Sequence, residues 1–203
     1  FLSFLLILLI PVVMSFVVFH RANTIIEEDT RRANTALMLQ TRSYVDMILA
    51  DIDQLTYLAA YNAQLQTLLY QRLPVTSDDY YTAFSLARDF TDFRDSSTSA
   101  IDFYVYFPDL DMVVSPDGYF TSRNFHVSRR SSGQEPYNEW MRTLRAIRRV
   151  TFRPNQVALR PRSDFDVDVP SIEYITPLPI GAPSSQARAW AVVQIRQELL
   201  REP

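Results

Sequence analysis

The chain opens on nineteen residues, 1–19, that carry no charge, with only Ser3, Pro11 and Ser15 interrupting an apolar run. A helix rises about 1.5 Å per residue, so the run spans about 28 Å, close to the roughly 30 Å hydrocarbon core of a bilayer. It ends in Phe16-Val-Val-Phe19-His20-Arg21 without the small residues of a cleavage site, which predicts a membrane helix and not a signal peptide. Pro11 is compatible with that reading, because neighbouring groups in a membrane helix re-satisfy the freed carbonyl. From 12 to 73 there is neither Gly nor Pro. Leu37, Tyr44, Ile48, Ile52, Leu55, Ala59, Leu65 and Leu69 recur there mostly at steps of three, four or seven, the spacing of one helix face. A helix over 21–72 would be about 78 Å long if unbroken, more than one small domain covers. Part of it must stand as a stalk or pair with another copy. Thr41, Asp51 and Asn62 fall on or beside the apolar stripe, so packing on a domain is favoured over a sustained coiled coil.

The pattern then changes. Ser77-Asp78-Asp79 reads as a helix start, leading into Tyr81, Phe84, Ala87, Phe90 and Phe93. Ile101-Asp-Phe-Tyr-Val-Tyr-Phe107 alternates with period two and ends at Pro108-Asp109, a strand and a turn. Asp111-Met-Val-Val-Ser115 followed by Pro116-Asp-Gly118 repeats that grammar, so the two runs predict a hairpin. A short helix is expected over 134–147, starting near Pro136. Further strands are expected at 150–152, 171–176 and 187–195, with polar, Pro-containing loops over 153–170 and 177–186. Antiparallel strands with helices on one face give an α+β domain. The expected division is a membrane helix over 1–20, a long signalling helix over 21–73, and a sensor domain over 74–203.

Composition narrows the function. Hydrophobic residues make up 47% and charged residues 21% of the 203, a globular and not a disordered profile. A net charge of −3 gives no basic footprint, so no nucleic-acid partner is expected. Cysteine is absent, which excludes a disulfide scaffold and thiolate metal sites. All 20 basic residues are Arg, and this carries no functional inference. Residues 27–118 have net charge −9 and residues 123–162 have +8. Such asymmetry suits an anionic ligand or partner, or two differently solvated faces of one domain.

Catalytic chemistry is poorly supplied, and no enzyme activity is expected for these residues. The two histidines are His20 at the membrane edge and His126, read as a surface residue of a polar loop. Three glycines, none clustered, leave no phosphate-cradling loop, and no cofactor is expected. Asp164-Phe-Asp166-Val-Asp168 opens like a calcium loop, but Val169 stands where Gly is needed and Ile175 where the closing Glu belongs. It reads as an exposed acidic loop, and no metal is expected. Aromatic residues are the richer signal. On the first strand Ile101, Phe103, Val105 and Phe107 share one face and should be core, while Asp102, Tyr104 and Tyr106 share the other. The second set is expected to line a pocket with Tyr119, Arg123, Trp140 and Tyr174, suited to a small polar or anionic ligand. For any single one of these, an ordinary half-buried sheet position explains it equally well.

"IDFYVYFPDLDMVVSPDGYF", the helix "YNEWMRTL" and the closing "AWAVVQIRQELL", after a membrane helix and a long helix, resemble the Cache sensor domain. The likeness is to double Cache domains of bacterial receptors, as in membrane-bound AraC-type regulators and sensor histidine kinases. It implies a PAS-like antiparallel sheet outside the cytoplasm that binds a small molecule and signals along its helices. It further implies a cell-membrane receptor controlling transcription or a phosphorelay, dimeric through the long helix. A second subdomain, a second membrane helix and an output domain would follow Pro203. Arg21, Arg31 and Arg32 by themselves favour the cytoplasmic side, so the orientation rests on the resemblance. Amino-acid-binding members carry an Arg two places before a Trp-Tyr pair. Here Asn138-Glu139 precede Trp140 and Met141 follows, so amino-acid binding is not implied. A membrane-anchored protein-interaction domain without a small ligand is the alternative, and a tethered hydrolase is disfavoured.

Overall fold

A computed structural model describes residues 2–97, 100–129, 135–155, 171–183 and 186–196. The chain divides into two compact units, Phe1–Asp46 and Met47–Pro203. The first is helical throughout its described residues, as the beginning of α1 (Leu2–Ala60). Side chains of 1–8, 10–12 and 17, on which the expected membrane span rests, lie outside the described residues. Among the described residues, no helix is long and apolar enough to cross a membrane.

The second unit begins with the last turns of α1 and continues through α2 (Ala63–Tyr70) and α3 (Ser77–Ser96). The helix expected over 21–72 is interrupted after Ala60, because Asn62 caps a new helix. Its Oδ1 accepts from the Gln64 and Leu65 N–H groups at 2.9 and 3.1 Å, while its Nδ2 donates to Asp89 of α3 at 2.7 Å. Leu65, Leu68 and Leu69 are thereby buried. Thr76 and Asp79 form a reciprocal capping box at the start of α3. Burial raises the Asp79 pKa, but hydrogen bonds from Thr76 and Gln71 outweigh it and hold the carboxyl below its usual value.

Six strands follow: β1 (Ala100–Phe107), β2 (Met112–Ser115), β3 (Gly118–Thr121), β4 (Thr151–Asn155), β5 (Ser171–Leu178) and β6 (Ala189–Arg196). They form one antiparallel sheet in the order β3-β2-β1-β6-β5-β4. The helices α4 (Ser122–Arg129) and α5 (Tyr137–Ala146) lie between β3 and β4 in the chain. The α+β class is the one the alternation predicts.

Helices cover both faces, not one. On the first face, Phe103 of β1 meets Phe90 of α3 with ring centroids 4.3 Å apart, and Ile48, Ile52, Leu55 and Ala59 of α1 are buried. On the second, Tyr106 of β1 meets Trp140 of α5 at 5.5 Å. The reason is the strand's own composition: alternate residues of β1 are aromatic on both faces, and each face must be dried. Gly118, at φ 130°, opens β3 in a backbone region closed to most L side chains.

Candidate functional site

Residues directly opposite one another in antiparallel strands share a face. Tyr104 pairs with Val192, which pairs with Ile175, and Tyr106 pairs with Trp190. These residues, with Val113, Phe125, Leu144 and Trp140, form one apolar cluster under α4 and α5. The same rule removes two of the expected pocket residues from that face. Tyr174 pairs with Val193, and Val193 with Phe103; Tyr119 pairs with Val114, and Val114 with Val105. Tyr119 and Tyr174 therefore lie on the Phe103 face, where Tyr119 rests against Tyr80 of α3 at 5.6 Å. Arg123 stands exposed on α4 with its guanidinium 5.4 Å from the Tyr137 ring. Of the six expected residues, Tyr104, Tyr106 and Trp140 come together. Arg123 reaches them only through Tyr137, whose ring is 6.1 Å from that of Trp140.

The three that meet are fully buried. The Trp140 ring touches the rings of Tyr106, Phe125, His126 and Tyr137 at 5.5 to 6.2 Å. His126 is thus a buried residue of α4 and not the surface loop residue expected; its Nε2 lies 2.9 Å from the Glu135 carbonyl. The Tyr106 hydroxyl accepts from Arg145 Nη2 at 2.8 Å and lies 3.2 Å from Met141 Sδ. Burial raises the Tyr106 pKa, and the Arg145 hydrogen bond offsets only part of the rise.

A second group on this face joins Asp102, expected there from the alternation of β1, to three residues that the sequence does not bring together. Asp102 pairs with Gln194, Gln194 with Glu173, and Glu173 with Arg153, one residue from each of β1, β6, β5 and β4. The result is a polar row across four strands, one step along the sheet from Tyr104. Glu173 and Gln194 are fully buried and Asp102 is 6% exposed. Arg153 forks onto Glu173 Oε2 through Nε (2.9 Å) and Nη2 (2.7 Å), and reaches Glu135 Oε1 through Nη1 at 3.0 Å. Burial works against the Arg153 charge, yet the two carboxylates more than compensate, and its pKa rises. Gln194 Nε2 donates to Glu173 Oε1 at 3.4 Å. Residues 156–170, including the acidic run Asp164–Asp168, lie outside the described residues. Among the described residues, no cluster of His, Cys, Asp and Glu is arranged to hold a metal ion.

The β5 strand links the two faces. Glu173 points into the row, while its neighbour Tyr174 points the other way and donates its hydroxyl to Asp53 of α1 at 2.6 Å. Burial first, and then donation to Asp53, push the Tyr174 pKa up to about 12. The folded state therefore holds this proton more tightly than the unfolded chain, whose tyrosines ionise near pH 10. The contribution is fully present below about pH 10 and is lost as pH rises through about 12. Urea melts across that window should show the native protein losing about 2 kcal/mol more than Tyr174→Phe. Parallel losses in the two proteins would show that the Tyr174–Asp53 bond is not formed.

No family model matches the chain, and no curated protein matches it. Solved structures similar to it at low identity include two sensor-protein domains. One is a domain of a sensory box/GGDEF family protein from Vibrio parahaemolyticus, at 10% identity and TM-score 0.48, covering 79% of this chain and 57% of that one. The other is the extracellular domain of a histidine kinase, at 9% identity and TM-score 0.49, covering 81% of this chain and 56% of that one. The chain spans little more than half the length of either.

Proposed function

We propose that the Met47–Pro203 unit is the extracytoplasmic sensing domain of a membrane receptor and binds a small polar molecule at the Asp102–Gln194–Glu173–Arg153 row. The observation that carries this reading is the row itself. Burying charged and amide groups costs free energy unless each is hydrogen-bonded, and apolar residues of similar size often serve a core as well or better. A sheet that needed only packing would continue the Tyr104, Val192, Ile175 pattern through these positions. Instead it places fixed polar groups beside an aromatic cluster, the combination small-molecule sites use for orientation and contact area.

The linkage through β5 supplies a signal route. A ligand that prefers one position of Glu173 acts on Tyr174, the next residue, and so on Asp53 of α1. Its leverage equals its difference in affinity between the two positions. In this reading the apolar run at 1–19 anchors the chain in the bilayer and α1 carries the signal toward an output controlling transcription or a phosphorelay. α1 exposes Ile25, Ile26, Leu37, Met38 and Leu39, apolar surface suited to a second copy of the chain. The same surface is the basis of the alternative, a membrane-anchored protein-interaction domain without a small ligand.

Melting the full chain against metabolite and sugar libraries tests the reading. A ligand at 100 times its Kd stabilises by about 2.7 kcal/mol, a Tm shift of several degrees. Asp102→Asn and Gln194→Leu should each remove the shift. A ligand whose effect survives both binds elsewhere, and the row is structural if every hit does so. In the same cells the chain should resist alkaline extraction from membranes, and Ser77→Cys should react with an impermeant thiol reagent before lysis. Labelling only after lysis places the domain on the cytoplasmic side and refutes the receptor topology.

A further inference from the structure

At the other end of the strands from the polar row lies a groove of about 740 Å³, lined by Tyr70, Arg72, Leu73, Asp109, Pro179 and the Gln186–Arg188 segment. Asp102 and Pro108 are six residues apart along and just past β1, so the two places are separated by roughly 20 Å. The groove is built where three turns converge. One follows α2, one follows β1, and one joins β5 to β6.

Arg72, Arg188 and Asp109 form no ion pair among the described residues. Arg188 is nevertheless held in place. Its backbone N–H donates to the Leu178 carbonyl at 2.8 Å, and its guanidinium lies 5.0 Å from the Tyr70 ring centroid. A guanidinium fixed against a ring loses little freedom when it takes up a ligand, which favours binding. The opposite sign is present too, since Asp109 is exposed on the same groove. Leu73, Pro179 and Ala187 give the groove an apolar floor.

We infer that this groove is a second binding site, for a small hydroxylated anion such as a sugar acid or sugar phosphate. Arg72 and Arg188 take the carboxylate or phosphate head, with the forked donors that match either group. Asp109 accepts a hydrogen bond from a hydroxyl of the body, and the carbon skeleton lies on Leu73, Pro179 and Ala187. The arrangement disfavours a bare anion, which cannot bridge from the arginines to Asp109 and leaves Leu73, Pro179 and Ala187 uncovered. The site is independent of the row at Glu173, and each can fail alone.

Calorimetric titration of the full chain in neutral detergent, with glucose 6-phosphate, gluconate and inorganic phosphate as probes, decides the matter. Binding of one equivalent of glucose 6-phosphate, of gluconate, or of both supports the site. The probe that binds identifies the head group. Inorganic phosphate should bind at least tenfold more weakly than the sugar phosphate. Arg72→Gln and Arg188→Gln should each weaken binding by roughly tenfold or more. Arg72 is exposed, so an unchanged Tm without ligand separates lost binding from lost folding in that variant. Asp102→Asn in the distant row should leave the affinity unchanged. Absence of heat and of a Tm shift with all three probes would overturn the inference, as would binding that survives both arginine substitutions.

Discussion

Arg153→Met will destabilise the sheet domain by about 3 kcal/mol, because it removes a cationic partner of a fully buried carboxylate. Glu173 is 0% exposed and receives two hydrogen bonds from Arg153, at 2.9 and 2.7 Å. Arg153 itself is 22% exposed at its side chain, and Gln194 still reaches Glu173 after the substitution. Both facts place the loss at the low end of the range for broken buried pairs, about 3–5 kcal/mol. Glu135, 24% exposed, is solvated once Arg153 is gone and adds little. Adding Glu173→Leu to Arg153→Met should restore about 1 kcal/mol, since the buried carboxylate is removed together with its arginine. Urea unfolding of the single and double variants measures both numbers. A loss below about 1 kcal/mol for Arg153→Met would mean that water screens the pair, as it does at a surface.

One residue of this row, Asp102, is legible in the sequence, and the other three are hidden for a physical reason. Alternation along β1 is local, so Asp102 could be assigned to the face of Tyr104 and Tyr106 from "IDFYVYF" alone. Its companions Gln194 and Glu173 join it only through the register of β1 with β6 and of β6 with β5, pairings that link residues up to 92 positions apart. An inward Glu within Ser171-Ile-Glu-Tyr-Ile-Thr176 was the available sign, since Ser171, Glu173 and Ile175 alternate on one face. Tyr174 and Tyr119 were misplaced for the same cause. Their chemistry resembled that of Tyr104, but only register decides the face.

Short elements were lost differently. Gly118–Thr121 is four residues, too few to show a period, and Ser122–Arg129 is polar around most of its circumference. His126 consequently looked like a loop residue, although α4 turns it inward against Trp140. The break in the long helix was concealed because Asn62 acts as a cap without any Gly or Pro to mark it. The strong signals hold where the period is long and the burial one-sided. Of the eight residues that spacing places on one stripe, Ile48, Ile52, Leu55, Ala59, Leu65 and Leu69 are buried, while Tyr44 is half-buried and Leu37 is exposed.

Trp140→Ala will cost about 3–5 kcal/mol, the range for removing a large aromatic side chain from a core. Trp140 is the largest of the fully buried side chains, and four rings stand around it: Tyr106, Phe125, His126 and Tyr137. Those rings belong to β1, α4 and α5, three elements that cannot all close on the space at once, so a cavity remains. Native domains are stable by only about 5–15 kcal/mol, so this single change removes a large part of the total. Trp140→Phe keeps an aromatic ring and should cost about 1–2 kcal/mol less than Trp140→Ala. The pair also weighs Trp140 as core against Trp140 as a ligand contact. A core role lowers the unliganded Tm in the order native, Phe, Ala, with the ligand shift preserved in Trp140→Phe. A contact role removes the shift in Trp140→Phe while its unliganded melt stays near native. The four rings packed around Trp140 place the expected outcome with the first pattern. On that outcome α5 seals the aromatic cluster, and recognition falls to the polar row beside it.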